Sequence, residues 1–90
     1  MNAPPYLEVP HRRGRPLAAY LYLPRRAGEK SYKSQRVEAG LVIDFGREGK
    51  PLGIEIMAPT KVTLAAINRV LRDLRLPVLK KSDLDPLRTA

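Results

Sequence analysis

Cysteine and tryptophan are absent from this chain of 90 residues, and histidine and phenylalanine occur once each, as His11 and Phe45. Without cysteine there is no disulfide framework, no thiolate nucleophile and no cysteine-based zinc site. A single histidine cannot build a histidine-rich metal site. The composition therefore predicts that the protein binds neither a metal ion nor another cofactor.

Long apolar runs are also missing. No hydrophobic stretch approaches the roughly 20 residues that a membrane-spanning helix needs, and residues 1–5 lack the charged and apolar segments of a signal peptide. These absences predict a cytoplasmic protein with no membrane partner. A chain of this length folds as one domain with a thin core, so we expect no ligand-sized pocket inside that core.

Positive charge is the main compositional feature, with a net charge of +8 at neutral pH. It is spread unevenly, because residues 1–36 carry +6, residues 37–60 carry −2 and residues 61–90 carry +4. A basic excess favours acidic partners such as nucleic acid, although solubility accounts for it equally well. The candidate nucleic-acid contacts lie in the N-terminal third and are Arg12, Arg13, Arg15, Arg25, Arg26 and Lys33.

Alternation of apolar and polar residues predicts several short strands. These lie at residues 6–9, 17–23, 32–38, 41–45 and 52–57. The last two flank a short loop with two glycines, which is typical of a β-hairpin. Centring that hairpin between residues 48 and 49 places Asp44 opposite Gly53, and Glu55 opposite Val42.

A helical spacing of apolar residues follows the strands, with Leu64, Ile67, Val70 and Leu74 on one side. Thr63 is a suitable N-cap, and the proline at 77 prevents continuation, so a helix is predicted over residues 63–75. The economical fold is α+β: a small antiparallel β-meander of four to five strands, with this one amphipathic helix packed on one face. Residues 1–90 form a single domain in which residues 1–5 and about 78–90 are expected to be flexible.

Three runs carry a resemblance to a known family. They are Ala-Ala-Tyr-Leu-Tyr-Leu at 18–23, Gly-Leu-Val-Ile-Asp-Phe at 40–45 and Gly-Ile-Glu-Ile-Met-Ala-Pro at 53–59. Together they resemble the prokaryotic domain-of-unknown-function family DUF2283, with a family-like core over about residues 6–60. The resemblance implies a small sheet domain without an established activity. It also implies an antitoxin-like partner role, since similar domains are encoded beside small toxin-like proteins.

Asp44 and Glu55 are the only pair of carboxylates that the predicted fold brings together. The hairpin register places them diagonally on one sheet face, with Cβ atoms about 5–8 Å apart. Acid–base catalysis needs pKa values pushed apart by burial or charge, and no cleft is predicted around this pair. We favour exposed acids that pair with Lys33 or Arg36. With no nucleophile–base pair and no cofactor loop, we predict that the protein is not an enzyme.

A short basic motif, Arg13-Gly14-Arg15-Pro16, matches the core of the AT-hook. An AT-hook binds as an extended segment in a narrow A·T minor groove. A basic β-turn is the interpretation we favour for these four residues. Nucleic-acid binding through the basic N-terminal third stays as the alternative function.

One side of the predicted sheet is left uncovered by the helix, and we call it the helix-free face. Its predicted members are Tyr20, Tyr22, Val42, Asp44, Glu55 and Met57. The tyrosines could stack on bases, but the two acids would repel phosphate. Tyrosine and methionine are enriched in interface cores. We therefore predict a non-enzymatic interaction module, whose candidate protein interface is Tyr20, Tyr22, Val42 and Met57. Its partner is a second copy, in a homodimer, or another small protein.

Overall fold

The computed structural model describes residues 6–12, 15–16, 18–24, 28–38, 40–59 and 61–85. Within these ranges the chain forms seven strands, one α-helix and one 3-10 helix. The strands are β1 (Tyr6–Glu8), β2 (His11–Arg12), β3 (Arg15–Pro16), β4 (Ala19–Tyr22), β5 (Lys33–Glu38), β6 (Leu41–Phe45) and β7 (Pro51–Ile56). The α-helix, α1, spans Leu64–Asp73, and the 3-10 helix spans Lys81–Leu84.

Five of these strands form one antiparallel sheet in the order β1-β4-β7-β6-β5. Strands β5, β6 and β7 follow one another as a meander, while β4 pairs with β7 instead of with β5. The chain therefore passes from β4 to the far edge of the sheet before the meander begins. Strands β2 and β3 pair separately, as a two-stranded ribbon between β1 and β4. The predicted α+β class, with a small antiparallel sheet and one helix, is confirmed.

The β6–β7 hairpin has the predicted register, with Asp44 opposite Gly53 and Glu55 opposite Val42. Its loop is closed by a backbone hydrogen bond of 2.8 Å from the Gly46 N–H to the Lys50 carbonyl. Gly49 has a φ of +84°, a left-handed conformation that a glycine adopts without strain.

Helix α1 begins after Thr63, whose hydroxyl accepts a hydrogen bond of 3.1 Å from the Ala66 N–H. The predicted N-cap is therefore confirmed. At the other end, the Leu76 N–H bonds to the Leu71 carbonyl, and Arg75 takes a φ of +60°. This is the Schellman pattern, which stops the helix just before the proline at 77.

The core lies between α1 and one face of the sheet. Its buried members are Ala19, Leu21, Leu23, Leu41, Ile43, Ile54 and Ile56 from the β4-to-β7 part of the chain, and Ile67, Val70, Leu71 and Leu84 from the C-terminal part. Phe45 is partly buried against this cluster. The sequence correctly predicted which sheet face the helix covers, because alternation in the strands fixes the apolar side.

The segment after α1 packs against it. Asn68 is only 8% exposed; its Nδ2 donates to the Leu79 carbonyl at 3.1 Å, and its Oδ1 accepts from the Leu79 N–H at 2.8 Å. Leu84, in the 3-10 helix, is 1% exposed. The sequence did not predict this packing for residues 78–85. Residues 1–5 and 86–90 lie outside the described ranges. Over the described ranges, no helix has the length and apolar character needed to cross a bilayer.

Candidate functional site

The strand register determines which side chains are neighbours on the helix-free face. One row across the sheet, from β1 to β5, is Tyr6, Tyr22, Gly53, Asp44 and Ser34. The next row is Glu8, Tyr20, Glu55, Val42 and Arg36. Met57 continues the alternation of β7 beyond Glu55. The helix-free face therefore comprises its six predicted members and five more residues, which are Tyr6, Glu8, Ser34, Arg36 and Gly53.

The side chain of Tyr20 crosses strand β7 over Gly53. A Cβ atom on Gly53 would stand 2.2 Å from Cε1 of the Tyr20 ring, so only glycine leaves room for the ring. The Tyr20 hydroxyl reaches past β7 and donates to Oδ2 of Asp44 at 2.8 Å. The Ser34 hydroxyl donates to the other oxygen, Oδ1. Asp44 therefore connects β4, β6 and β5 through hydroxyl donors on both sides.

Three tyrosines form a continuous aromatic cluster at the β1–β4 side of this face. The rings of Tyr6 and Tyr22 are stacked, with centroids 4.4 Å apart and planes 12° apart. Tyr20 is tilted by 58° against Tyr22, at 4.7 Å. The sequence analysis missed Tyr6 as a site residue. Alternation in the predicted first strand already places Tyr6 on the same side as Glu8. That Tyr6 is a neighbour of Tyr22 follows only from the pairing of β1 with β4.

The four residues predicted as a protein interface all lie on this face, but they do not form one continuous apolar patch. Tyr20, Tyr22 and Val42 are half-buried, and Met57 is 51% exposed. The structure brings Tyr20 and Tyr22 together, whereas Glu55 stands between Tyr20 and Val42 in the register. The surface is therefore aromatic on one side and carries a carboxylate in its middle.

Acidic side chains dominate the charge of the helix-free face. Glu8, Asp44 and Glu55 belong to its two rows, against a single cation, Arg36. The predicted pairing of the acids with Lys33 or Arg36 is not formed, because Asp44 is bonded to the hydroxyls of Tyr20 and Ser34 instead. Exposed lysine and arginine side chains lose rotamer entropy on pairing, whereas the short Ser34 side chain lies directly opposite Asp44.

A surface depression of about 650 Å³ lies between two loops, at residues 28–32 and 46–50. It lies at the surface, whereas the expectation of no ligand-sized pocket concerned the core. Its walls carry a Lys50–Glu29 ion pair with 3.3 Å between Nζ and Oε1. Above Tyr32, the guanidinium carbon of Arg47 stands 5.5 Å from the ring centroid. These charges of both signs are arranged around an open space.

The candidate nucleic-acid residues fall in three places. Arg12 and Arg15 are register partners in the β2–β3 ribbon. Lys33 is exposed at the start of β5, the outer strand of the sheet. Arg13, Arg25 and Arg26 lie outside the described residues.

Comparison with known proteins identifies one family. Residues 18–58 match the model of a family described as "Protein of unknown function (DUF2283)". No curated protein and no solved structure matches the chain. The matched segment runs from the start of β4 to just past β7, so it includes the Tyr20–Gly53–Asp44 arrangement. The match over residues 18–58 confirms the resemblance to the DUF2283 family that the three sequence runs carry.

Proposed function

We propose that this protein is a non-enzymatic interaction module that binds another protein molecule through its helix-free face. One observation carries the proposal: α1 and the segment after it cover one side of the sheet, while no described element covers the other. On that uncovered side, Tyr6 is 53% exposed and Met57 is 51% exposed. Exposed aromatic and methionine side chains on one surface are typical of association sites.

The environment of the carboxylates supports a role without chemistry. Both oxygens of Asp44 accept hydrogen bonds from hydroxyl groups, which holds the side chain in a structural position. Among the described residues, no three histidine, cysteine or acidic side chains are close enough to share a metal ion. A binding role requires neither an activated base nor a bound metal, so it fits this arrangement without further assumptions.

The size of the face limits how tight the contact can be. Five strands spaced by roughly 4.8 Å give a width of about 24 Å, and five residues along a strand span about 17 Å. The flat area is then about 400 Å², roughly half of what each partner buries in a standard interface.

The occupant is a second copy or another small protein, of which a toxin-like protein bound by an antitoxin-like module is one class. We place this interaction in the cytoplasm.

Removing the most exposed side chains of the face tests the proposal. In the Tyr6→Ala/Met57→Ala variant we expect association to be lost, because both side chains lie outside the core. The matched control is Tyr32→Ala/Val78→Ala, which removes a similar exposed apolar area elsewhere. Solution mass by light scattering at about 100 μM reports self-association, for which the commonest form is a symmetric dimer. Quantitative pull-down from the native lysate reports another partner.

Two outcomes would refute this assignment. If the face variant and the control retain the same solution mass and recover every bound protein equally, the helix-free face is not the binding site. If the control alone loses association, the interface lies near Tyr32 or Val78. Circular dichroism of each variant shows whether the fold is kept.

Nucleic-acid binding is a second candidate, favoured by the β2–β3 ribbon, in which two arginines are register partners. If it occurs, the affinity for duplex DNA should fall steeply with salt, with a logarithmic slope of about −0.9 per phosphate contacted. Arg13→Ala/Arg15→Ala should remove most of the binding, whereas Lys61→Ala/Arg72→Ala, a change of equal charge elsewhere, should not. Undetectable binding to duplex and single-stranded oligonucleotides at low salt would exclude this function.

A further inference from the structure

We infer that the segment bound by the helix-free face is cationic, specifically an extended, arginine-bearing segment of another protein. The inference rests on the proposed function and names the chemistry of the partner.

The distribution of charge is the first argument. Three of the nine acidic residues of the chain lie in the two rows of this face, against one of its seventeen lysines and arginines. In a protein with a net charge of +8, such a face is the opposite of what composition alone would produce. Complementary charge selects the right partner and rejects the wrong one. The face therefore favours a positively charged occupant.

The availability of the carboxylates is the second argument. The Glu55 carboxylate forms no hydrogen bond or ion pair within the described part of the chain, and the Glu8 carboxylate accepts one long bond of 3.4 Å from the Tyr22 hydroxyl. Both lie directly opposite Tyr20, one on each neighbouring strand. Their oxygens can thus accept hydrogen bonds from an incoming donor, on either side of one aromatic ring. Asp44 differs, because its two oxygens are already bonded.

The aromatic cluster is the third argument. A guanidinium group stacks on tyrosine rings and donates several hydrogen bonds to carboxylates at the same time, which an ammonium group cannot match in geometry. Tyr6 and Tyr22 present stacked rings beside Glu8, and Tyr6 is exposed. Among the described residues, Arg47 and Tyr32 make a contact of this type. Tyrosine rings next to the carboxylates of Glu8 and Glu55 therefore favour arginine over lysine.

Other occupants fit the face less well. Two copies packed face to face would bring three carboxylates of one molecule against three of the other, and like charges in an interface oppose association. A nucleic acid would place phosphates against the same groups. A strand-like segment matches the observed geometry, because Glu8 and Glu55 lie in one row, two strands apart.

The test uses a fluorescein-labelled dodecapeptide of alternating arginine and threonine, titrated with the intact protein and followed by fluorescence anisotropy. We expect a dissociation constant of about 10–100 μM, typical of a small transient contact. A peptide with lysine in place of arginine should bind several-fold more weakly, and one with glutamate should not bind. Glu8→Gln/Glu55→Gln should weaken binding of the arginine peptide about tenfold, because two charge-assisted contacts are lost.

The matched control is Glu48→Gln/Asp73→Asn, which removes the same charge from exposed positions away from this face. It should change the affinity by less than about twofold. Tyr6→Leu keeps every charge and should weaken binding several-fold through loss of the stacking surface. Thermal melts establish that each variant is folded before its affinity is compared.

Three results would overturn the inference. They are no binding of the arginine peptide by the wild type at 1 mM, equal weakening by both double variants, and binding unaffected by Tyr6→Leu. The proposed function is judged separately by the Tyr6→Ala/Met57→Ala comparison. A partner that this variant loses but Glu8→Gln/Glu55→Gln retains would show that the face binds a protein whose contact is not cationic.

Discussion

Replacing Gly53 with alanine is expected to lower the free energy of unfolding by about 2–3 kcal/mol. The new methyl group would stand 2.2 Å from the Tyr20 ring, so the ring has to move and its hydrogen bond to Asp44 breaks. A bond to a charged acceptor contributes about 1.5–3 kcal/mol, and the displaced ring contact about 0.5–1.5. The better strand propensity of alanine offsets roughly 0.5–1 kcal/mol of this loss. Urea unfolding measures the change.

Two further variants separate this contact from a general effect of removing glycine. Gly46→Ala is the control, since a Cβ there would meet Leu52 Cδ2 at an ordinary 3.5 Å; we expect a change within about 0.5 kcal/mol. In a Tyr20→Ala background, Gly53→Ala should cost little, because the clashing ring is gone. An equal cost in both backgrounds would show that Tyr20 is not the reason for the glycine.

Replacing Asn68 with alanine is expected to destabilise the protein by about 2–4 kcal/mol. The change leaves the N–H and carbonyl of Leu79 without the two bonds they make now, and each unsatisfied buried group costs about 1–3 kcal/mol. The segment that carries Leu84 would then detach more readily from α1. Urea unfolding gives the loss of stability, and trypsin cleavage at Lys80 and Lys81 should become faster.

Arg72→Gln provides the control for this prediction, because Arg72 is an exposed position of the same helix. It should leave both the stability and the cleavage rate nearly unchanged. If Asn68→Ala behaves like the control, the two bonds to Leu79 do not hold the C-terminal segment. Leu84→Ala extends the test, since it removes packing from the same segment without touching its hydrogen bonds.

Local patterns were sufficient for the elements of the fold. The hairpin of β6 and β7 and the helix after it follow from periodicity, a short loop and an N-cap, all of which act over a few residues. The order of the strands in the sheet does not follow from local patterns. Sequential strands are neighbours in about two-thirds of cases, but β4 pairs with β7, about 30 residues later, and no local signal encodes that choice.

The same limit explains what was missed at the site. Alternation assigned Tyr20 and Asp44 to one face, but their hydrogen bond depends on β4 and β6 standing either side of Gly53. Glu55 separates Tyr20 from Val42 for the same reason. Asn68 was missed for another reason. It lies at the border of the apolar stripe of α1, and its role depends on the backbone of Leu79, which returns to the helix and bonds to the Asn68 amide.

The boundary of the family match has a consequence for autonomous folding. The matched unit ends at residue 58, and α1 begins at Leu64. Strands β4 to β7 alone would leave Ile54 and Ile56 in water on one side of a four-stranded sheet, which is not a stable architecture. In this chain the apolar side of the matched unit is therefore sealed by residues outside the match, namely α1 and the segment after it. A fragment that ends at residue 58 is expected to remain unfolded, because it lacks half of its own core.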